Sequence, residues 1–308
     1  GMVLADLGAE VIKVEPVDGD KTRRLRGFGA GFFGYFNRNK KSLALDADSA
    51  EGRAVLVKLL QSADALVENF APGSMAKRGL GPQDLEKINP RLVYCALKGF
   101  LPGPYEKRPA LDEVVQMMGG LAYMTGLPDR PLRVGSSVND IMGGMFAAIG
   151  ILAALRDREK TGKGRYVHTS LLEAMVFMLD LQAARWLMDG EIPGQAGNDH
   201  PVNIPMGVFP TADKPINIAA SSPKMWVQFA EALDRKDWLE VEEWKTLKGR
   251  SNDRARLNKT IGDAVMAVFN FPVQHPDHAV RAVKAARALQ KDCQARFAEF
   301  ARRQGVEA

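Results

Sequence analysis

Sulfur and imidazole are scarce in this chain. Two cysteines in 308 residues, Cys95 and Cys293, make no disulfide framework and point to a cytoplasmic protein. The four histidines, His168, His200, His275 and His278, stand at no metal-ligand spacing with cysteine or carboxylate, so no metal is implied. No apolar run reaches the roughly 18 uncharged residues that suggest a membrane span. The opening GMVLADLGAE lacks the basic segment and apolar core of a secretory signal. Neither a membrane partner nor export is expected. Aromatics are 7% of the chain and do not alternate with basic residues as in single-strand nucleic-acid platforms. The net charge of +5 is spread along the chain, as suits small anions, and nucleic acid is not an expected partner. There is no internal repeat.

What remains is an ordinary globular composition, 46% hydrophobic and 26% charged, with length for about two domains. In the first half, strand-like and helix-like segments alternate. AEVIKVEP, KSLALD, DALVENF and LVYCALKGF read as strands, and SAEGRAVLVKLLQSA turns helical from a Ser49 cap. PQDLEKINP is a short helix, and ALDEVVQMMGGLAYMTG repeats Val114, Val115, Met118 and Leu121 at helical spacing. This alternation predicts an α/β fold: a parallel, Rossmann-like sheet flanked by helices, with ligands at the carboxyl ends of the strands. A further helix, TSLLEAMVFMLDLQAARWLMDG, precedes the turn-rich EIPGQAGNDHPVNIP. The domains are therefore read as 1–190, a large α/β domain; 191–269, a linker and smaller α+β domain with a GVFPTADKPINIAA hairpin; and 270–308, an atypical helical tail.

Two glycine patterns carry no nucleotide site. GAGFFG, from Gly29 to Gly34, has the G-x-G-x-x-G spacing, but no strand precedes it and no capped helix is expected after it, so it is read as a loop. TGKG at Thr161 lacks the first glycine and the Ser or Thr of a phosphate loop and is read as a turn.

LADLGAEVIKVEP, NRNKKSLALD, VENFAPGSMAKRGLG, INPRLVYCALKGF, GPYEKRP, VGSSVNDIMGG, ILAALRDREKTGKGRYV and GVFPTAD occur in one collinear series. Taken together they resemble the family III CoA-transferases, the CaiB/BaiF type that includes formyl-CoA transferase, over about Gly1 to Phe269. The resemblance implies coenzyme A or acyl-CoA as substrate, a carboxylic acid as acceptor, no permanently bound cofactor and an interlocked homodimer. It also implies that Asp140 is the nucleophile.

From the residues alone Asp140 has two readings. An Asp before a helix is a preferred cap. It is equally a carboxylate that the amides and dipole of a helix start would keep ionised for attack on a thioester, and the roles are compatible. Gly143 and Gly144 would leave the approach open and offer backbone amides to a tetrahedral oxyanion. Asp112 falls where formyl-CoA transferase has a Tyr-Glu pair and is a candidate for positioning the acyl group or, alternatively, a helix cap. VENFAPGSMAKRGLG resembles the family's CoA-contacting segment, which marks Asn69, Phe70, Pro72, Gly73, Lys77 and Arg78 as cofactor-binding candidates. Arg38 and Lys40, with Lys41 beside them, are candidates for the CoA phosphates.

The departures are specific. Leu111 stands where racemases of this superfamily need a histidine, which argues against proton transfer at an α-carbon. Pro16 and Asp48 replace an arginine and a lysine often found in the family. Relative to family members, the strand before the LADLGA helix is missing, and the resemblance fades near Phe269. Two expectations therefore stand side by side: a CoA-transferase, with a dicarboxylate among the candidate acceptors, and a truncated inactive relative that only binds CoA or a partner subunit.

Overall fold

The computed structural model describes residues 1–210 and 214–268. The tail read as 270–308, with His275, His278 and Cys293, lies outside the described residues. The chain divides into two compact units, Gly1–Asn198 and Asp199–Ala308. The division falls within the turn-rich segment read as a linker. Gln195 Nε2 donates to the Tyr123 carbonyl at 2.7 Å, which holds the intervening segment to the first unit.

The first unit opens with α1 (Met2–Asp6), β1 (Val11–Glu15), α2 (Phe32–Asn37) and β2 (Lys40–Ala44). Then follow α3 (Ala50–Ser62), β3 (Ala65–Glu68), α4 (Ser74–Lys77), α5 (Pro82–Ile88) and β4 (Val93–Lys98). α3 starts where Ser49 Oγ accepts from the Gly52 N–H at 3.0 Å, the expected cap. β1 pairs with β2 in parallel, and β3, β4 and a later strand, β7 (Tyr166–Ser170), form a second parallel sheet with β4 in the centre. Among the described residues no ladder joins the two sheets, which corrects the expectation of a single one. Among the described residues β1 pairs with β2 alone and β3 with β4 alone, so each has one edge without a described partner.

β4 is covered on both faces, as a central parallel strand should be. Tyr94 and Ala96 pack with Leu60 of α3, Leu80 in the turn before α5, and Leu85 of α5. Val93 and Cys95 pack on the opposite side with Ala147, Ile151 and Ala154 of α8 (Val138–Thr161). Burying one side chain such as Ile151 contributes about 1.5–3 kcal/mol, and the inward positions of α8 recur at three- and four-residue steps.

Between β4 and α8 lie α6 (Asp112–Met118), α7 (Leu121–Met124) and a short antiparallel pair, β5 (Gly126–Leu127) and β6 (Arg130–Pro131). The single periodic segment expected here is two helices, because Gly120 adopts φ +92°. After β7 the expected long helix is likewise divided, into α9 (Leu171–Met178) and α10 (Leu181–Asp189), at Asp180 with φ +53°. GAGFFG is not all loop either. Its second half enters α2, where Phe32 and Phe36 face one another one turn apart at 4.8 Å and Asn37 Nδ2 donates to the Phe33 carbonyl at 3.0 Å.

The direction of α8 positions the site. A Cβ on Gly143 would stand 3.0 Å from side-chain carbons of Leu97 and Leu171, near the ends of β4 and β7. At the other end Arg158 donates to the Arg91 carbonyl at 3.0 Å and to Asp64 at 2.7 Å, ahead of β4 and β3. α8 therefore runs antiparallel to the strands, and its first turn emerges at their carboxyl ends. Among the described residues it alone is long and apolar enough to cross a membrane. Its inner face is packed on β4 and β7.

The second unit has its own core. β8 (Met206–Phe209) and β9 (Ile216–Ala219) form the expected antiparallel hairpin, followed by α11 (Pro223–Ala232), α12 (Leu247–Asn252) and α13 (Arg254–Val268). Trp226 and Trp238 stack at 5.9 Å, and the buried Arg250 donates to the carbonyls of Ile204, Trp244 and Ser221.

Candidate active site

The first turn of α8 brings Asp112 and Asp140 together. Asp112, the first residue of α6, is buried at 4% exposure, and its Oδ1 accepts from the backbone N–H of Asn139 at 2.7 Å and of Asp140 at 3.3 Å. Its Oδ2 accepts from Gln116 Nε2 at 2.5 Å, and Gln116 Oε1 in turn accepts from the Val134 N–H at 2.8 Å. Asp112 is thus the carboxylate that caps α8, reaching it from another helix. Of the two readings of Asp112, the geometry favours a cap, here of α8.

Asp140 takes no part in the cap. Its carboxyl has no hydrogen-bond partner among the described residues and is exposed at the lip of a cavity of about 190 Å³. Around it stand Phe36, Lys40, Ile141, Gly144 and Met145, with the first residues of α1. Burial raises the Asp140 pKa, and the nearby carboxylates of Asp112 and Glu113 raise it further. This reverses the expected direction. The amides that would have stabilised its charge serve Asp112 instead, while protein on several sides thins its hydration.

The two glycines differ. Gly144 lines the cavity, and a Cβ there would meet nothing within 4 Å; Gly143 faces Leu97 and Leu171. Both lie in the interior of α8, where each N–H is directed at the carbonyl four residues earlier. Both amides are thus engaged within the helix, while Gly144 leaves the approach to Asp140 open.

Of the basic candidates, only Lys40 reaches this cavity. Its Nζ donates to Asn37 Oδ1 at 2.8 Å, and burial, with Lys13 nearby, lowers its pKa. Arg38 is turned away, bonded to Asp6 and to the Tyr35 carbonyl, with its guanidinium 5.2 Å from the Tyr35 ring. Lys41 pairs with Glu10 at 2.9 Å.

The loop after β3 forms a separate feature at the same edge of the three-stranded sheet. Asn69, Phe70, Pro72 and Gly73 are exposed, and Gly73 adopts φ +77° where the chain enters α4, a conformation that favours glycine. Lys77 is exposed and has no partner among the described residues. Arg78 is engaged by Asp48 at 2.7 Å and Ser74 Oγ at 2.8 Å, so the aspartate that departs from the family pattern neutralises it. The loop borders a second cavity, of about 110 Å³, that shares no lining residue with the one at Asp140. The structure thus joins Asp140, Gly144 and Lys40 and leaves the loop residues apart. Gln116, Glu113 and Phe36 escaped the sequence reading. Gln116 lies one helical turn after Asp112, a spacing that signals a bonded pair once Asp112 is suspected of capping. Among the described residues no cluster of His, Cys, Asp and Glu could hold a metal ion.

Comparison with known proteins gives this geometry a context. The sequence model for CoA-transferase family III matches residues 1–271. The chain is 36% identical over 276 residues to the succinyl-CoA:mesaconate CoA-transferase of Haloarcula hispanica, covering 85% of this chain and 69% of that protein. It is 38% identical over 238 residues to the acetyl-CoA:oxalate CoA-transferase of Acetobacter aceti, covering 75% and 61%. The human succinyl-CoA:glutarate CoA-transferase is 34% identical over 273 residues, covering 85% and 61%. Among solved structures, a CaiB/BaiF family protein from Brucella suis superposes with a TM-score of 0.76 at 33% identity, covering 92% of this chain and 77% of that one. The Rv3272 protein of Mycobacterium tuberculosis superposes with a TM-score of 0.77 at 30% identity, covering 93% and 75%. The chain thus spans 61–69% of the length of these three curated relatives.

Proposed function

The chain belongs to CoA-transferase family III, a family of enzymes, and from that footing we propose that it moves CoA from an acyl-CoA donor to a carboxylic acid through Asp140. The observation that carries this reading is the contrast between two adjacent carboxylates. Asp112 takes the cap, which leaves Asp140 unpartnered at an open cavity.

In the proposed cycle the Asp140 carboxylate attacks the thioester carbonyl, the C–S bond breaks, and CoA thiolate leaves behind an acyl-aspartyl anhydride. The thiolate attacks the aspartyl carbonyl, releasing the donor's carboxylate and forming an aspartyl-CoA thioester. The acceptor carboxylate attacks that thioester, again expelling thiolate, which attacks the acceptor's acyl carbonyl and restores the Asp140 carboxylate. One thioester replaces another, so the free-energy change is small. A thinly solvated, unpaired carboxylate is a stronger nucleophile than a capping one. Gly144 leaves room for the thioester, and Lys40 supplies positive charge across the cavity. Asn69, Phe70, Pro72, Gly73 and Lys77 are proposed to bind CoA, with Lys77 on a phosphate. Dicarboxylates are the proposed acceptors, since the relatives' names pair succinyl-CoA with mesaconate or glutarate and acetyl-CoA with oxalate. An interlocked homodimer is the proposed assembly.

Incubation with succinyl-CoA followed by hydroxylamine tests the reading. Mass spectrometry should find a hydroxamate on Asp140 alone, and Asp140→Ala should abolish both the adduct and CoA exchange. A chain that binds succinyl-CoA but gives no adduct would sink the catalytic claim.

A further inference from the structure

We propose that Glu68 and Lys98 are positioning residues whose buried ion pair clamps the backbone of Phe70 and so sets the affinity for CoA. The proposal rests on reading residues 69–78 as the CoA-binding loop. Glu68 ends β3 and Lys98 ends β4, with side chains only 4% and 11% exposed. An ammonium has three protons to donate. Lys98 Nζ stands 2.7 Å from each Glu68 carboxylate oxygen and 2.6 Å from the Phe70 carbonyl, so all three are engaged. Glu68 Oε2 also accepts from the Phe70 N–H at 2.9 Å. Both polar groups of one peptide-chain residue are therefore fixed by one charged pair, while the Phe70 ring stays 56% exposed.

From Met75 onward the segment is held by packing on the Leu60, Leu80 and Leu85 cluster and by Arg78, bonded to Ser74 and Asp48. Ahead of that, Pro72 and Gly73 are exposed and border the cavity of about 110 Å³. Gly73 stands in a left-handed conformation at the entry to α4. A loop so built wanders unless its first residues are held, and binding must then offset the cost of ordering it. The pair touches neither Asp140 nor its cavity, so its effect should fall on binding and not on the chemical step.

The test uses the full chain and coenzyme A itself as probe, with calorimetric Kd and amide exchange over residues 69–78. Removing one partner strands a buried charge and risks unfolding, so the decisive variant is the double neutral substitution Glu68→Gln with Lys98→Met. This variant should remain folded by circular dichroism, bind CoA about tenfold more weakly, and exchange the amides of Phe70 and Gly73 faster. Lys98→Arg, which keeps the charge, should recover part of the affinity. Unchanged Kd and exchange in the folded double variant overturn the clamp. Asn69→Ala and Lys77→Ala separate the two ideas. If neither weakens CoA binding, the loop is not the CoA site, and the link to affinity falls even where the double variant exchanges faster.

Discussion

Asp112 and Asp140 carry the same functional group in opposite surroundings, and the difference sets what each can do. Two backbone N–H groups and an amide side chain satisfy Asp112, whereas Asp140 has only the cavity and two like charges. A carboxyl whose pKa is raised on folding binds its proton more tightly in the native state. That contribution to stability is full below the unfolded pKa and is lost as pH rises through the folded value. At neutral pH the ionised Asp140 is therefore a stability cost, and Asp140→Asn should melt no lower than the parent chain while losing all acyl transfer. Thermal denaturation at pH 7 checks this, and a lower melting temperature contradicts it. Activity should fall as pH drops through the raised pKa. Glu113→Gln, which removes one of the charges responsible, should move the acid limb of kcat/KM to lower pH and leave the plateau unchanged.

Within α8 the neighbouring glycines have separate duties. An alanine methyl at Gly143 presses on Leu97 and Leu171 at 3.0 Å, and overpacking of about 1–3 kcal/mol outweighs the ~1 kcal/mol helix-propensity gain. At Gly144 the methyl meets open space, so the same change should stabilise by about 0.5–1 kcal/mol. The two variants should move the melting temperature in opposite directions. Turnover should drop in Gly144→Ala, whose methyl enters the cavity beside Asp140. The small-residue character of α8 is plain in MGGMFAAIGILAA, but the sequence does not say which glycine packs and which opens the site. That depends on which face meets β4 and β7. The helices that divide at Gly120 and Asp180 were hidden for a related reason: the apolar spacing runs on across both breaks.

The whole first unit has more apolar surface in view than a packed core alone would leave. α10 has no buried residue, and Trp186, Leu187 and Met188 are 54%, 73% and 82% exposed. Contiguous exposure of this kind marks association surfaces, and the edges of β1 and β3 that have no partner among the described residues add to it. Under the proposed homodimer, light scattering at micromolar concentration should give twice the chain mass. Paired Leu187→Lys and Met188→Glu substitutions should shift the protein to monomer. An unchanged mass would place the dimer contact elsewhere on the chain.

By itself the sequence determined the alternation of strands and helices, the Ser49 cap, the hairpin of the second unit and the singular position of Asp140, because each depends on residues close together in the chain. Tertiary structure alone decided that Asp112, 28 positions away, caps α8. It also decided that Arg38 and Arg78 are spent on Asp6 and Asp48, and that Lys40 lines the same cavity as Asp140. The physical reason is common to all three. A carboxylate or a guanidinium takes its role from the partners that folding brings within about 3 Å, and no periodicity in the chain records them.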